Sequence, residues 1–136
     1  MINYKEQAIR WLEQSDDDLK AAFNLFKLDD FSRACFFSEQ SAQKSLKAYL
    51  ILNKQIRLPL HAITDLLNKS AFFDKSFLNF LDGGKILDKY YLTTRYPDAL
   101  PDSNLKPFEA YTKSEAEEAL KISQEIFNLC SKFIRA

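Results

Sequence analysis

The spacing of the apolar residues constrains this chain most, because it follows the helical period of three and four over long segments. The first segment, residues 4–27, predicts an amphipathic helix of about six turns. The link at residues 28–30 is so short that the next helix, predicted over residues 31–53, should run antiparallel to the first. Asp29 or Asp30 is expected to cap it. With two Gly and four Pro among 136 residues, the chain also has few of the turn residues that an all-β fold requires.

The remaining periodic segments complete a helical fold. Pro59 is suited to the first turn of a short third helix. A fourth helix is predicted over residues 74–92, with a kink or a close helix contact at Gly83-Gly84; two helices separated at the glycines are the alternative. The sequence from Thr112 to Glu115 matches a capping box and should open the last helix. The pattern predicts an all-α, antiparallel up-and-down bundle of four long helices and one short helix, as a single domain over residues 1–136.

Charge, cysteine content and motifs argue against several classes of function. Lys+Arg and Asp+Glu are balanced at 19 each, so no overall positive field attracts nucleic acid. No phosphate-binding loop or nucleophile motif is present, and with two distant cysteines and one histidine we expect no metal site. Cys35 and Cys130 are expected to be buried free thiols in a reducing compartment. Because the N-terminus has no apolar leader and no segment is long enough to span a bilayer, we expect a cytoplasmic protein.

A polar strip on the second predicted helix supplies the first candidate binding residues. Gln40, Lys44 and Lys47 share one side of this helix at i, i+4 and i+7. Lys47 lies between apolar neighbours, so its ammonium needs a partner or must reach water. His61, the only imidazole, follows a basic connector. It is a candidate general acid or base near neutral pH, and the alternative is a histidine that caps or packs the start of the third helix.

The irregular segment at residues 93–111 supplies the others. Pro97 favours an extended backbone at Tyr96, which projects the neighbouring side chains. Arg95 offers a planar fork for phosphate, and Tyr96 offers a stacking face, so the two predict a nucleotide site. The alternative is that Arg95 and Asp98 tie the loop to the bundle, with Asp98 as a partner of Lys47.

These residues resemble the HEPN family, which is named for higher eukaryotes, prokaryotes and nucleotide binding. The resemblance extends over nearly the whole chain and its pieces occur in the family's order. The matching pieces are Arg10-Trp11-Leu12 with Asp17–Ala22, Phe36–Leu50, His61–Leu67, Arg95–Asp98 and Glu109–Ala116.

The resemblance implies a helical bundle, commonly a homodimer, that is often encoded beside or fused to a minimal nucleotidyltransferase, sometimes as a toxin–antitoxin pair. It supports a set of binding positions for a nucleotide or a partner, with no other cofactor and no metal. These positions are Gln40, Lys47, His61, Arg95, Tyr96 and Asp98.

Many HEPN proteins are metal-independent ribonucleases with an arginine, four to six residues and a histidine near the last helix. Here Arg57 precedes His61 with three residues between them, and the last helix has no histidine. The sequence therefore favours a binding role without catalytic residues. The alternatives are a ribonuclease acting on RNA through His61 with Arg57 or Arg95, and a purely structural helical adaptor.

Overall fold

The computed structural model describes residues 1–93 and 111–136, and every regular element in these ranges is helical. This confirms the predicted all-α antiparallel bundle. The elements, in chain order, are α1 (Tyr4–Lys27), α2 (Phe31–Leu52), α3 (Ile63–Ser70), a 3₁₀ helix (Lys75–Phe80), α4 (Leu81–Asp88), α5 (Tyr90–Thr93) and α6 (Lys113–Ile134). Among them, no helix combines the length and the apolar character that crossing a bilayer requires.

Local capping signals set the ends of the long helices. Asp30 caps α2 by accepting a hydrogen bond from the Arg33 N–H at 3.3 Å. The reversal before it uses a left-handed backbone at Asp29, with φ 60°. At the start of α6 the predicted capping box is confirmed, since the Glu115 N–H donates to Thr112 Oγ1 and the Thr112 N–H to Glu115 Oε1.

Helix α2 lies at the centre of the bundle, packed against α1 and α6. Small side chains let the neighbouring backbones approach closely, so serine hydroxyls on one helix reach carbonyls on the next. Ser15 Oγ donates to the Ser41 carbonyl at 2.7 Å, and Ser41 Oγ donates to the Ser15 carbonyl at 2.8 Å. Ser123 of α6 makes the same kind of bond to the Ser38 carbonyl at 2.7 Å. Each of these buried hydroxyls is therefore satisfied by the adjacent helix.

The prediction of one continuous helix over residues 74–92 is wrong. The structure divides this range into the 3₁₀ helix, α4 and α5, with the changes at Leu81 and Lys89. Gly83 and Gly84 lie inside α4, so they do not break the helix. The predicted close contact is confirmed at Gly84, where an added Cβ would lie 2.7 Å from Leu67 Cδ1 of α3.

The predicted start of the third helix is also wrong. Pro59 lies in the connector, and α3 begins at Ile63 after Ala62, whose side chain has no acceptor to cap it. The acceptor comes instead from Asp88 at the end of α4. A helix start that is capped from another element has no local sequence signal.

Candidate functional site

A continuous path of polar side chains runs along the inner face of α2. The fully buried Glu39 accepts hydrogen bonds from Gln40 Nε2 at 2.7 Å and from Gln43 Nε2 at 3.0 Å. Gln43 Oε1 in turn accepts from Lys47 Nζ at 3.0 Å. The positions 39, 43 and 47 are spaced by four, so these side chains stack along one face of the helix.

Lys44 does not belong to this path, although its spacing in the sequence predicted the same strip. Its Nζ lies 2.6 Å from Asp18 Oδ2 on α1, where it forms a largely buried ion pair. Glu39 and Gln43 take its place in the path. The i, i+4 spacing in the sequence places Glu39 and Gln43 on the same face of the helix as Lys47. It does not indicate that the Glu39 carboxylate is buried in the core.

Lys47 carries its ammonium at the other end of the path. The residue is 7% exposed, and burial, with a smaller contribution from the like charge of Lys44, lowers the pKa of Lys47 from its ordinary value, whereas Glu39 opposes this shift. Its hydrogen-bond partners among the described residues are Gln43 Oε1 and His61 Nδ1, the latter at 3.4 Å. Gln43 Oε1 is a neutral acceptor, and His61 Nδ1 is one in the tautomer that carries its proton on Nε2. Among the described residues, the direct contacts of this buried ammonium therefore carry no negative charge.

His61 lies between the Lys47 ammonium and the protein surface. It is exposed, lies in the connector just before α3, and stacks on Tyr91 of α5 with ring centroids 6.1 Å apart and an interplanar angle of 6°. The imidazole thus contacts the Lys47 ammonium through its edge, at Nδ1, and the Tyr91 ring through its face. Sequence analysis missed Tyr91, because only the fold brings positions 61 and 91 together.

The structure brings together some of the predicted site residues. Lys47 and His61 are in contact, and Gln40 is half-buried at the Glu39 end of the path. Arg95, Tyr96 and Asp98 lie outside the described residues, so their approach to Lys47 stays a prediction. Arg57 is exposed, and no hydrogen bond joins it to His61 in the described parts of the chain.

The two cysteines take no part in this site. Both are buried free thiols, as predicted. Burial raises the pKa of Cys35 to about 12, with a further increase from the charge of Glu115 and an opposing hydrogen bond from Tyr90. Burial likewise raises the pKa of Cys130 to about 12. Because the thiolate is the nucleophilic form, neither cysteine is an activated nucleophile.

The helical order fits one family of helical domains, and the HEPN domain model matches residues 8–133. The chain belongs to the HEPN family. Its fold is shared with the crystal structure of TT1696 from Thermus thermophilus, with a TM-score of 0.81 and 36% identity over 93% of this chain and 97% of that one.

Two further relatives agree with this assignment. ST0689, described as an archaeal HEPN homologue, superposes with a TM-score of 0.75 and 29% identity, over 93% of this chain and 97% of that one. A curated protein of Methanocaldococcus jannaschii, named "Putative toxin MJ1304", is 25% identical over 132 residues, which cover 92% of this chain and 86% of the relative.

Proposed function

We propose that this HEPN protein is the toxin-side member of a toxin–antitoxin-like pair with a minimal nucleotidyltransferase, and that Lys47, His61 and Tyr91 form a site for a nucleotide. The name of the Methanocaldococcus relative supports the toxin side of this proposal. The observation that carries the nucleotide site is the buried ammonium of Lys47, hydrogen-bonded to Gln43 and His61 beside a stacked aromatic pair.

The chemistry of these three side chains suits a phosphate with an attached base. A phosphate oxygen that replaced His61 Nδ1 would give the Lys47 ammonium an anionic partner, and charge pairs gain strength away from bulk water. Tyr91 stacks on one face of the exposed His61 ring, and a base can stack on the imidazole from the opposite side. Gln40, at the far end of the path, would act through Glu39 rather than touch the ligand.

Substitution of Lys47 by methionine is expected to weaken nucleotide binding by about tenfold or more, because it removes the buried charge but keeps the side-chain length. Isothermal titration calorimetry with a panel of nucleoside mono- and triphosphates and with inorganic phosphate measures this. His61→Ala should weaken binding too. Lys54→Met is the matched control, since it removes an exposed lysine just past the end of α2.

Two outcomes of the calorimetry would contradict the nucleotide site. One is equal binding by the wild type and Lys47→Met. The other is no binding of any nucleotide by the wild type. If Lys47→Met lowered only the melting temperature, the polar path would serve the stability of the bundle, as in the structural-adaptor alternative.

The partner half of the proposal is tested by expression. Expression of this chain alone is expected to slow the growth of the host cell, and co-expression of the minimal nucleotidyltransferase that the proposal requires as its partner should restore growth and yield a complex on purification. Normal growth with the chain alone, at a verified protein level, would contradict the toxin role. Light scattering on the purified chain tests the homodimer that the family resemblance implies.

The small residues that would suit a dimer contact are used within one chain. Those of α2 pack against α1 and α6, and Gly84 packs against Leu67. The homodimer therefore stays a prediction that rests on the family alone.

A further inference from the structure

We infer that Asp88 is a positioning residue for the Lys47–His61–Tyr91 site, because its carboxylate caps α3 from the neighbouring α4 and so fixes the chain segment that carries His61. What the site binds rests on the proposed function. The positioning itself is a property of the free protein and can be tested without any ligand.

The carboxylate of Asp88 takes up three donors at the start of α3. The Ile63 N–H donates to Oδ1 at 2.5 Å, and Oδ2 accepts from the Thr64 N–H at 3.3 Å and from Thr64 Oγ1 at 2.8 Å. The first N–H groups of a helix have no partner within the helix, and Ala62 cannot supply one. A negative charge at this end also complements the helix dipole. Asp88 thus does from 25 residues away what an N-cap residue ordinarily does locally.

This cap joins the two segments whose rings stack. His61 lies two residues before Ile63, and Tyr91 lies three residues after Asp88. The bonds at Asp88 therefore clamp the connector and the α4–α5 region at a point within one turn of each ring. The parallel arrangement of His61 and Tyr91, and the 3.4 Å contact from His61 to Lys47, both depend on this relative placement.

Gly84 allows Asp88 to reach its donors. The two residues are four apart and so lie on the same face of α4. The missing side chain at Gly84 lets α4 approach Leu67, Ile63 and Thr64, with Leu67 Cδ1 nearest to an added Cβ at 2.7 Å. Close packing one turn earlier thus brings the carboxylate of Asp88 to the start of α3.

The lone histidine makes this inference directly measurable. Because the chain has one imidazole, its ring proton resonances are assigned without ambiguity in an NMR spectrum. The stacked Tyr91 ring displaces these resonances by its ring current, and Tyr91→Leu shows where they lie once that ring is gone. In Asp88→Asn we expect them to move at least half of the way toward their Tyr91→Leu positions.

A matched control separates positioning from a general loss of stability. Asp65→Asn removes an exposed carboxylate from the first turn of the same helix, and Asp65 makes no hydrogen bond to α4 in the described residues. Its imidazole resonances should stay at the wild-type positions. If Asp88→Asn does not fold, Thr64→Val removes one of the three bonds in a side chain of similar shape and should shift the resonances partway in the same direction.

Unchanged imidazole resonances in folded Asp88→Asn, or in Thr64→Val if only that variant folds, would overturn the inference, even if the melting temperature fell. Failure of the nucleotide site gives a different result: the wild type would bind no nucleotide, while the Asp88 variant still shifted the imidazole signals. If the wild type does bind, Asp88→Asn should weaken binding about as much as His61→Ala does, and Asp65→Asn should leave it unchanged.

Discussion

Raising the pH from about 8 to about 10.5 is expected to lower the free energy of unfolding by about 4 kcal/mol through the two buried thiols. In the unfolded chain Cys35 and Cys130 lose their protons near the ordinary pKa of 9.0, whereas in the folded protein the pKa of each is raised to about 12. Above pH 9.0 the unfolded state therefore binds fewer protons than the folded state. Stability that is present in full below this pH is lost as the pH rises, by about 1.4 kcal/mol for each pH unit and thiol.

Urea unfolding across this range measures the effect, with the Cys35→Ala/Cys130→Ala double variant as the control. The double variant is expected to be less stable at neutral pH, because it removes two buried sulfur atoms, but its stability should decline with a smaller slope. The raised pKa values of Tyr49 and Tyr90 and the lowered pKa of Lys47 also contribute to the slope. Lys47 acts in the opposite direction. All three residues are present in both proteins, and only the part of the tyrosine shifts that the thiols cause is lost in the double variant. Equal slopes would show that the thiols are accessible to water in the folded state.

Lys44→Met is expected to lower the free energy of unfolding by about 3 kcal/mol, because it leaves the carboxylate of Asp18 without its cation. Asp18 is 4% exposed, and its Oδ2 lies 2.6 Å from Lys44 Nζ. The remaining hydrogen bond, from Gln14 Nε2 to Asp18 Oδ1 at 3.2 Å, is neutral and cannot replace the charge. Thermal or urea unfolding at neutral pH measures the loss.

Two further variants test whether the burial of the Lys44–Asp18 ion pair causes the loss of stability in Lys44→Met. Arg33→Met breaks an ion pair with Asp30 in which the arginine side chain is 63% exposed, and it should cost less than about 1 kcal/mol. The double variant Asp18→Asn/Lys44→Met removes both charges and should recover most of the stability that Lys44→Met loses. A similar loss in Lys44→Met and Arg33→Met would mean that burial does not decide the strength of these pairs.

The sequence was sufficient wherever the signal is local. The apolar period placed α1 and α2 to within a residue or so, and Asp30 and the Thr112–Glu115 capping box were identified from their own neighbours. The prediction of one continuous helix over residues 74–92 failed for a physical reason. An apolar stripe reports which face of a segment is buried, and this face keeps its phase even where the backbone changes from a 3₁₀ helix to α4 and again before α5.

The candidate site was predictable only in part, for a related reason. Lys47 and His61 were identified by their own chemistry, as a lysine among apolar neighbours and a lone imidazole. The local sequence around Tyr91 and Asp88 gives no signal of their roles, because these depend on contacts across the fold. Tyr91 contacts His61, and Asp88 contacts Ile63. The contribution of Arg95 and its neighbours in the loop still rests on the sequence.

The reciprocal bonds between Ser15 and Ser41 have a consequence for how the bundle can move. A slide of α1 along α2 by one helical turn, about 5.4 Å, would separate both hydroxyls from both carbonyls at once. The two hydroxyls would then lose their partners in a dry interior, while the carbonyls would keep only their bonds within each helix, so we expect this hairpin to resist sliding. We therefore expect a partner that alters the Lys47 site to move α3 or α4 against this hairpin rather than to slide α1 along α2.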